Sequence, residues 1–154
     1  MRSVSVHIVG ACREEVAAQL SKIAQKGMGD HWYHPDRQHA RLTLRFQPGA
    51  QPPQPPNSDD EFVGTLGAPP EVTIYLDTGG RLNPDEAGRQ LDRREIHKVV
   101  EHILARFRGV ARDDLSPHLW TLEEIRTGKS IAGAQFGDHD AWRRLYQRRA
   151  SQEH

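Results

Sequence analysis

Residues 96–107 read IHKVVEHILARF, the most strongly periodic stretch of the chain. Its apolar residues recur every three or four positions, which places them on one broad stripe of an α-helix. The stripe consists of Ile96, Val99, Val100, Ile103, Leu104 and Phe107. Gly109 follows at a position where helices commonly end. This stretch decides the fold, because a helix with such a stripe has to bury it against another element.

Segments on both sides of this helix alternate apolar with polar residues, which is the period of a half-buried strand. The alternating apolar residues are Val4, Val6 and Ile8, then Leu42, Leu44 and Phe46, then Val72, Ile74 and Leu76. A further short strand is expected around Val110 and Ala111. Between the first two strands, Val16, Leu20 and Ile23 are spaced to share one face of a helix. Gly27 and Gly29 are expected to end that helix.

The tail from Leu115 is predicted to be an appendage with one or two short helices. Thr121 and Glu124 form a capping box, T-L-E-E, at the start of one helix. Trp142, Leu145 and Tyr146 share a face of the other. The order of elements predicts the α+β class: a ferredoxin-like βαββαβ antiparallel sheet with helices on one face, plus a short C-terminal helical appendage.

The length of 154 residues fits a single domain over residues 1–154. Residues 48–61 contain two proline pairs and are predicted to form an exposed Pro-rich loop. The one cysteine, Cys12, allows no intramolecular disulfide and favours a reducing compartment. No stretch approaches the roughly 20 apolar residues of a membrane span, and MRSVSVHIVG lacks the plan of a signal peptide. We therefore expect a cytoplasmic protein with no membrane partner.

The charge of the chain is balanced, with 21 basic and 21 acidic side chains. This balance argues against the strong positive field of a dedicated nucleic-acid-binding protein, so nucleic acid is not the expected partner. A local patch nevertheless brings together basic and aromatic residues, which can neutralise and stack on nucleic acid. Its members are Trp142, Arg143, Arg144, Tyr146, Arg148 and Arg149. A nucleic-acid-binding accessory domain therefore stays open as an alternative function.

His31, His34 and His39 form a cluster with the spacing H-x2-H-x4-H. Imidazole is a common zinc ligand, so a small metal-dependent enzyme that uses these three residues is a second alternative. The spacing matches no familiar metal motif, and H-E-x-x-H, paired C-x-x-C, G-x-S-x-G and G-x-G-x-x-G do not occur. The main prediction is therefore that the protein has no metal, no cofactor and no catalytic residue.

Residues 126–130, RTGKS, match the end of the phosphate-binding motif G-x-x-x-x-G-K-[ST]. Glu123 stands where the first glycine belongs, and the preceding segment is predicted to be a helix, whereas the motif follows a strand. We interpret the match as chance.

Aromatic and acidic side chains cluster in two predicted loops. Tryptophan and tyrosine commonly anchor protein interfaces, and acidic loops steer a basic partner. The residues predicted to contact a protein partner are Trp32, Tyr33 and His34 in the loop Asp30–His39, and Asp113, Asp114, His118 and Trp120 in the loop Asp113–Trp120. Trp32, Tyr33 and Trp120 are the expected anchors. The alternative that the two tryptophans fill the core stays open.

Residues 109–125, GVARDDLSPHLWTLEEI, resemble the C-terminal part of small bacterial immunity proteins, which neutralise polymorphic or contact-dependent toxins. The resemblance, from Gly109 to Ile125, consists of a strand, an acidic turn and a W-T-L-x-E-I helix start. It implies a non-catalytic, cytoplasmic protein that binds and blocks one cognate protein toxin. The neutral charge differs from the acidic immunity proteins that oppose basic nucleases. A homodimer is left open.

Overall fold

A computed structural model describes residues 3–34, 42–47, 60–77, 86–113 and 116–152. The strands are β1 (Ser3–Val9), β2 (Gln25–Lys26), β3 (His31–Tyr33), β4 (Thr43–Phe46), β5 (Val72–Asp77) and β6 (Arg108–Asp113). The helices are α1 (Arg13–Leu20), α2 (Asp60–Leu66), α3 (Glu86–Leu104), α4 (Leu122–Thr127) and α5 (His139–Gln152).

The described strands form one sheet in the order β2-β3-β4-β5-β1-β6, and every pairing is antiparallel. Strand β1 lies between β5 and β6, so that Val6 pairs with Ile74 on one side and with Ala111 on the other. The predicted α+β class with an antiparallel sheet is confirmed. The hairpin β2–β3 and the helix α2 were not predicted.

One face of the sheet carries the main core, because the period-2 alternation of β1 directs Val4, Val6 and Ile8 to the same side. Helices α1 and α3 cover this face, as the apolar stripe of residues 96–107 predicts. The buried helix residues of this cluster are Val16 and Leu20 from α1, and Ile96, Val99, Val100, Ile103 and Leu104 from α3. Ile125 of α4 joins the same cluster, so α4 is part of the main core.

Helix α2 packs on the opposite face of the sheet. Phe62 and Leu66 form a second buried cluster with Val9 and Val110, which point away from the main core. The expectation that the helices share one face is therefore wrong for α2. Its seven residues offer only these two buried apolar side chains, four positions apart, which is too short a pattern to recognise in a sequence.

Helix α1 ends at Leu20, earlier than the predicted stop at Gly27 and Gly29. The chain turns through residues 21–24 and enters the β2–β3 hairpin, where both glycines lie. Gly27 packs so closely on the Tyr33 ring that a Cβ atom would collide with it. Gly29 has a φ of +62°, which an L side chain rarely adopts. The two glycines therefore serve the hairpin turn.

The capping box of α4 is present as predicted. The backbone N–H of Glu124 donates to Thr121 Oγ1 at 3.2 Å, and the Thr121 N–H donates to the Glu124 carboxylate at 3.0 Å. Gly128 ends α4 in the left-handed conformation, with a φ of +71°. Residues 126–130 thus contain the last two residues of α4, its cap and the two residues that follow, which agrees with their interpretation as a chance match to the phosphate-binding motif.

In the described ranges, no helix is long and apolar enough to cross a membrane. Residues 48–59 of the predicted Pro-rich loop at 48–61 lie outside the described residues. Asp60 and Glu61 belong to the first turn of α2.

We expect Gly109→Ala to destabilise the fold, because a Cβ at Gly109 would collide with the backbone carbonyl oxygen of His7 in the neighbouring strand. Overpacking of this kind lowers the free energy of unfolding by about 1–3 kcal/mol. Gly64→Ala in α2 is the matched control, since no atom lies within 4 Å of its added Cβ. Urea denaturation should show a lower free energy of unfolding for Gly109→Ala, and an unchanged or higher one for Gly64→Ala. Equal stability of the two variants would contradict the close β1–β6 contact.

Candidate functional site

The two tryptophans predicted to anchor a partner are core residues. Trp32 is 1% exposed and Trp120 is 0% exposed. Trp32 meets Phe46 edge-on at 5.1 Å between ring centroids, and its indole N–H donates to Ser21 Oγ at 3.3 Å. Trp32 also lies in strand β3, where a loop was predicted. Neither tryptophan can contact a partner on this surface, and this part of the prediction is wrong.

Trp120 connects β6 to the chain that follows it. Its backbone exchanges two hydrogen bonds with Ala111, at 2.9 and 2.7 Å. Its ring contacts the ring of His118, at 4.7 Å between centroids, and the ring of Phe136, at 5.9 Å. The tryptophan of the W-T-L-E-E-I sequence therefore joins the sheet to α4 and to the segment before α5.

Asp113, predicted to be a charged partner contact, is only 2% exposed. Its carboxylate accepts a hydrogen bond from the Ser116 N–H at 3.1 Å and another from the Gly137 N–H at 3.3 Å. A buried carboxylate held by backbone N–H groups stabilises the chain around it and is shielded from a partner. The prediction for Asp113 is therefore wrong. Asp114 lies outside the described residues.

Tyr33, His34 and His118 are half-buried, and each histidine contacts a carboxylate. His34 Nε2 lies 2.8 Å from Glu95 on α3, and His118 Nε2 lies 3.2 Å from Glu124 on α4. Burial alone would raise the pKa of each glutamate. Hydrogen bonds from His34 and Lys98 outweigh this and lower the pKa of Glu95. Bonds from the Thr121 backbone, Lys129 and His118 do the same for Glu124.

The described parts of the two predicted contact loops lie far apart along the sheet. Strands β3 and β6 are four positions apart in the sheet order. At about 4.8 Å between neighbouring strands, this places them roughly 19 Å apart. Tyr33 and His34 therefore belong to one end of the molecule, and His118 belongs to the other.

The histidine cluster does not converge within the described residues. His31 is exposed, and as the neighbour of the buried Trp32 in β3 it points to the opposite face of the sheet. The backbone N–H of His34 donates to Leu42 O at 3.0 Å, so the strand pairing continues through His34. His34 is two residues after Trp32 and therefore points to the same face of the sheet as Trp32. His31 and His34 thus point to opposite faces of the sheet and cannot share an ion. His39 lies outside the described residues, and the described part of the chain contains no group of three potential metal ligands.

A polar network on the second face of the sheet was not predicted. His7 Nε2 lies 2.9 Å from Ser5 Oγ, and His7 Nδ1 lies 3.2 Å from Thr73 Oγ1. The His7 ring packs at 4.4 Å on Phe62 of α2. Ser5 and His7 lie on the same face because they are two residues apart in β1, and this S-x-H spacing is the only sequence signal for the pair.

A serine within hydrogen-bonding distance of a histidine is the geometry of an activated nucleophile. The surroundings of His7 oppose that role. Burial, together with the positive charge of Arg112, lowers the pKa of His7 to about 4, so the ring strongly resists the proton that a general base must accept. Thr73 occupies the place where a carboxylate would orient and stabilise the charged ring in a triad. The network therefore helps to hold α2 on the sheet, and its geometry does not favour nucleophilic catalysis by Ser5.

A cleft of about 510 Å³ lies between α3, α4 and residues 128–136. Its apolar lining includes Ile125 and Phe136, and many of its polar side chains bind the protein itself. Arg93 donates to Gln135 Oε1 at 2.8 Å, and His97 Nε2 lies 2.9 Å from the Phe136 carbonyl oxygen. Burial lowers the pKa of His97. These contacts connect α3 to the chain before α5 and therefore stabilise the fold.

The β2–β3 hairpin presents the most exposed large apolar side chain among the described residues. Met28 is 89% exposed and lies between Gly27 and Gly29 in the turn. The turn closes through a hydrogen bond from the Gly27 N–H to His31 O at 2.8 Å. The buried Trp32 fixes the base of the hairpin in the core. The hairpin is thus a firmly attached element with an apolar tip in solvent.

Comparisons of this chain with protein-family models, with curated proteins and with solved structures find no match.

We expect His7 to make the protein less stable in mild acid. Its pKa is 6.5 in the unfolded chain and about 4 in the fold, so only the unfolded chain takes up a proton as the pH falls through this interval. The resulting loss in the free energy of unfolding is up to about 3 kcal/mol between pH 6.5 and pH 4.

Urea denaturation at several pH values measures this loss. His7→Gln should flatten the acid decline relative to the unchanged protein, whereas His31→Gln, at an exposed position, should leave it as it is. His97 and His102 also have lowered pKa values and contribute equally in all three proteins. An identical pH dependence for His7→Gln and the parent would refute the assignment.

Proposed function

We propose that this protein is a non-catalytic inhibitor of the immunity type, which binds and neutralises a cognate bacterial protein toxin. The observation that carries the proposal is the β2–β3 hairpin, whose tip exposes Met28. Methionine adapts its shape to an apolar pocket and is frequent at protein-binding surfaces. In this proposal Met28 replaces the two buried tryptophans as the main contact residue.

The attachment of the hairpin supports this role. Binding costs less free energy when the contacting element is already held in its bound shape. Trp32 is packed against Phe46 and bonded to Ser21, so it anchors β3 in the core. Tyr33 packs on Gly27 and stiffens the turn from the other side. Met28 is therefore presented by a pre-organised backbone.

The outer edge of the hairpin offers a second kind of contact. Strand β2, Gln25–Lys26, is the outermost strand of the described sheet. The main-chain groups of an edge strand can pair with an extended segment of another protein. A toxin that covers Met28 would also lie beside this edge.

The residues that resemble immunity proteins have a structural role in this proposal. Trp120 fills the core, Asp113 binds two backbone N–H groups, and Thr121 with Glu124 caps α4. The resemblance over Gly109–Ile125 is then one of fold. This agrees with an implied family whose members contact different toxins through different surfaces.

We also propose that the four longest strands follow the ferredoxin-like plan. Their order β4-β5-β1-β6, the helix α1 between β1 and β4, and the helix α3 between β5 and β6 support this. The hairpin β2–β3 then extends the sheet beyond β4, and α2 is an addition on the second face.

We propose the cytoplasm as the compartment. Support comes from the single cysteine, Cys12, which is exposed and unpaired in the described residues. A backbone hydrogen bond from Glu15 lowers the pKa of this thiol. The Glu15 and Glu14 carboxylates outweigh that effect, and the pKa is raised overall. A thiol with a raised pKa suits a residue that does not react.

The test is binding and protection with the product of the neighbouring upstream gene. The purified protein should bind that product, and its co-expression should rescue growth of cells that produce it. Met28→Asp should weaken binding at least about tenfold, as loss of a central contact does. The melting temperature should not change, because Met28 is almost fully in solvent.

Val63→Asp is the matched control, because Val63 is 43% exposed on α2, on the second face of the sheet. It should bind and protect like the parent protein. Failure of the parent to protect would discard the toxin-binding function. Full binding by Met28→Asp would discard the hairpin as the contact surface.

A further inference from the structure

Within the described residues, the buried contacts of helix α5 lie near its beginning. Ala141 and Trp142 are buried against Ala134, and Leu145 packs beside them. From Tyr146 to Gln152 every residue is exposed. A helix of this length is marginal in water without packing, so its last two turns contribute little to the stability of the fold.

The exposed part of α5 carries concentrated positive charge. Arg143, Arg144, Arg148 and Arg149 are all exposed, and none of them forms an ion pair with another described residue. The acidic Asp138, just before the helix, is occupied by Arg93 at 3.7 Å and by the Ala141 N–H at 3.1 Å.

The balanced charge of the chain is therefore unevenly distributed. Helix α5 contains four arginines and one aspartate, a formal charge of 4 − 1 = +3. Because the whole chain has a net charge of zero, the rest of it carries −3. The overall balance, which argues against a nucleic-acid partner, conceals a basic helix on an acidic body.

One face of the helix forms a shallow groove of about 390 Å³. It is lined by Arg144, Gln147, Arg148, Ser151 and Gln152. Arg144 and Arg148 are four residues apart, which corresponds to a rise of about 6 Å along the axis. Like charges at this spacing repel each other. An anion bound between them would relieve that repulsion, and the neighbouring amides and hydroxyl could donate further hydrogen bonds.

We propose that this face of α5 binds nucleic acid through its sugar-phosphate backbone. Guanidinium groups bind phosphate oxygens in a bidentate manner. Arg144 and Arg148, about 6 Å apart along one face of the helix, can each contact a separate phosphate of one strand. The hydrogen-bonding side chains between them suit the same backbone, and nothing in the face selects a base sequence. This site lies on a different element from the β2–β3 hairpin and acts independently of it.

A membrane surface fits the helix less well. Helices that lie on membranes insert an apolar face between the lipids. The apolar face of α5, with Trp142 and Leu145, is already packed against the protein. The groove face is polar throughout, so it offers nothing to insert.

Fluorescence anisotropy with a labelled DNA duplex of about 20 base pairs, at about 50 mM and about 200 mM salt, tests the proposal. Three or four phosphate contacts predict a loss of affinity of about 40-fold to 150-fold between these salt concentrations. The double variant Arg144→Glu, Arg148→Glu should bind at least about tenfold more weakly at the lower salt concentration. Its salt slope should be smaller by about two.

The control is Arg94→Glu with Arg126→Glu, which makes the same change in net charge at two exposed arginines of the α3–α4 cleft. This variant should keep duplex affinity within about threefold of the parent. Circular dichroism should show the same fold for both variants. An equal loss of affinity in the control would overturn the proposal, because it would reduce the effect to net charge.

Two further arms separate other anionic partners. Vesicles of phosphatidylcholine with phosphatidylserine should retain little protein, and polyglutamate at the same charge concentration should displace little duplex. Tighter binding to the vesicles than to the duplex, or full displacement by polyglutamate, would refute nucleic acid as the partner. So would the absence of duplex binding at the lower salt concentration.

Discussion

Strand β1 is hydrogen-bonded along both edges, to β5 through Ser3–Ile8 and to β6 through Val4–Val9. Its residues Val4, Val6 and Ile8 are almost completely buried beneath α1 and α3. Each such side chain contributes about 1.5–3 kcal/mol on burial. The opposite side of the same strand supplies His7 and Val9 to the contact with α2. Both layers of helices are therefore positioned by a single strand.

The sequence revealed those elements whose periodic pattern has only one interpretation. The stripe at residues 96–107 and the alternation in β1, β4 and β5 predicted their elements, and Thr121 with Glu124 predicted the start of α4. No sequence pattern predicts the hairpin β2–β3, because its strands have two and three residues, too few to show a period. Helix α2 is likewise not predicted, because Phe62 and Leu66 are buried on a face that local spacing cannot identify.

Three of the predicted partner-binding residues, Trp32, Trp120 and Asp113, are buried, and a related physical reason hid this from the sequence. A tryptophan beside polar residues has the same local sequence whether its ring faces solvent or the core, and only the three-dimensional packing decides this. Trp32 alternates with the more exposed His31 and Tyr33, but three residues are too few for this alternation to predict a strand. Asp113 looked like a surface charge because its partners, the N–H groups of Ser116 and Gly137, are backbone atoms that no sequence pattern announces. The net charge of the chain also gives an incomplete picture, because a total of zero does not show that positive charge is concentrated on α5.

The carboxylate of Asp113 has a consequence for how the chain can be divided. It accepts one hydrogen bond from the N–H of Ser116, in the turn after β6, and another from the N–H of Gly137, which is 24 positions after Asp113 in the chain. Removing the chain beyond β6 would strip this buried group of both partners and would expose the cavity that Trp120 and Phe136 now fill. We therefore expect the sheet and the segment leading into α5 to unfold as one cooperative unit, and a shortened protein that ends at β6 to lose its fold.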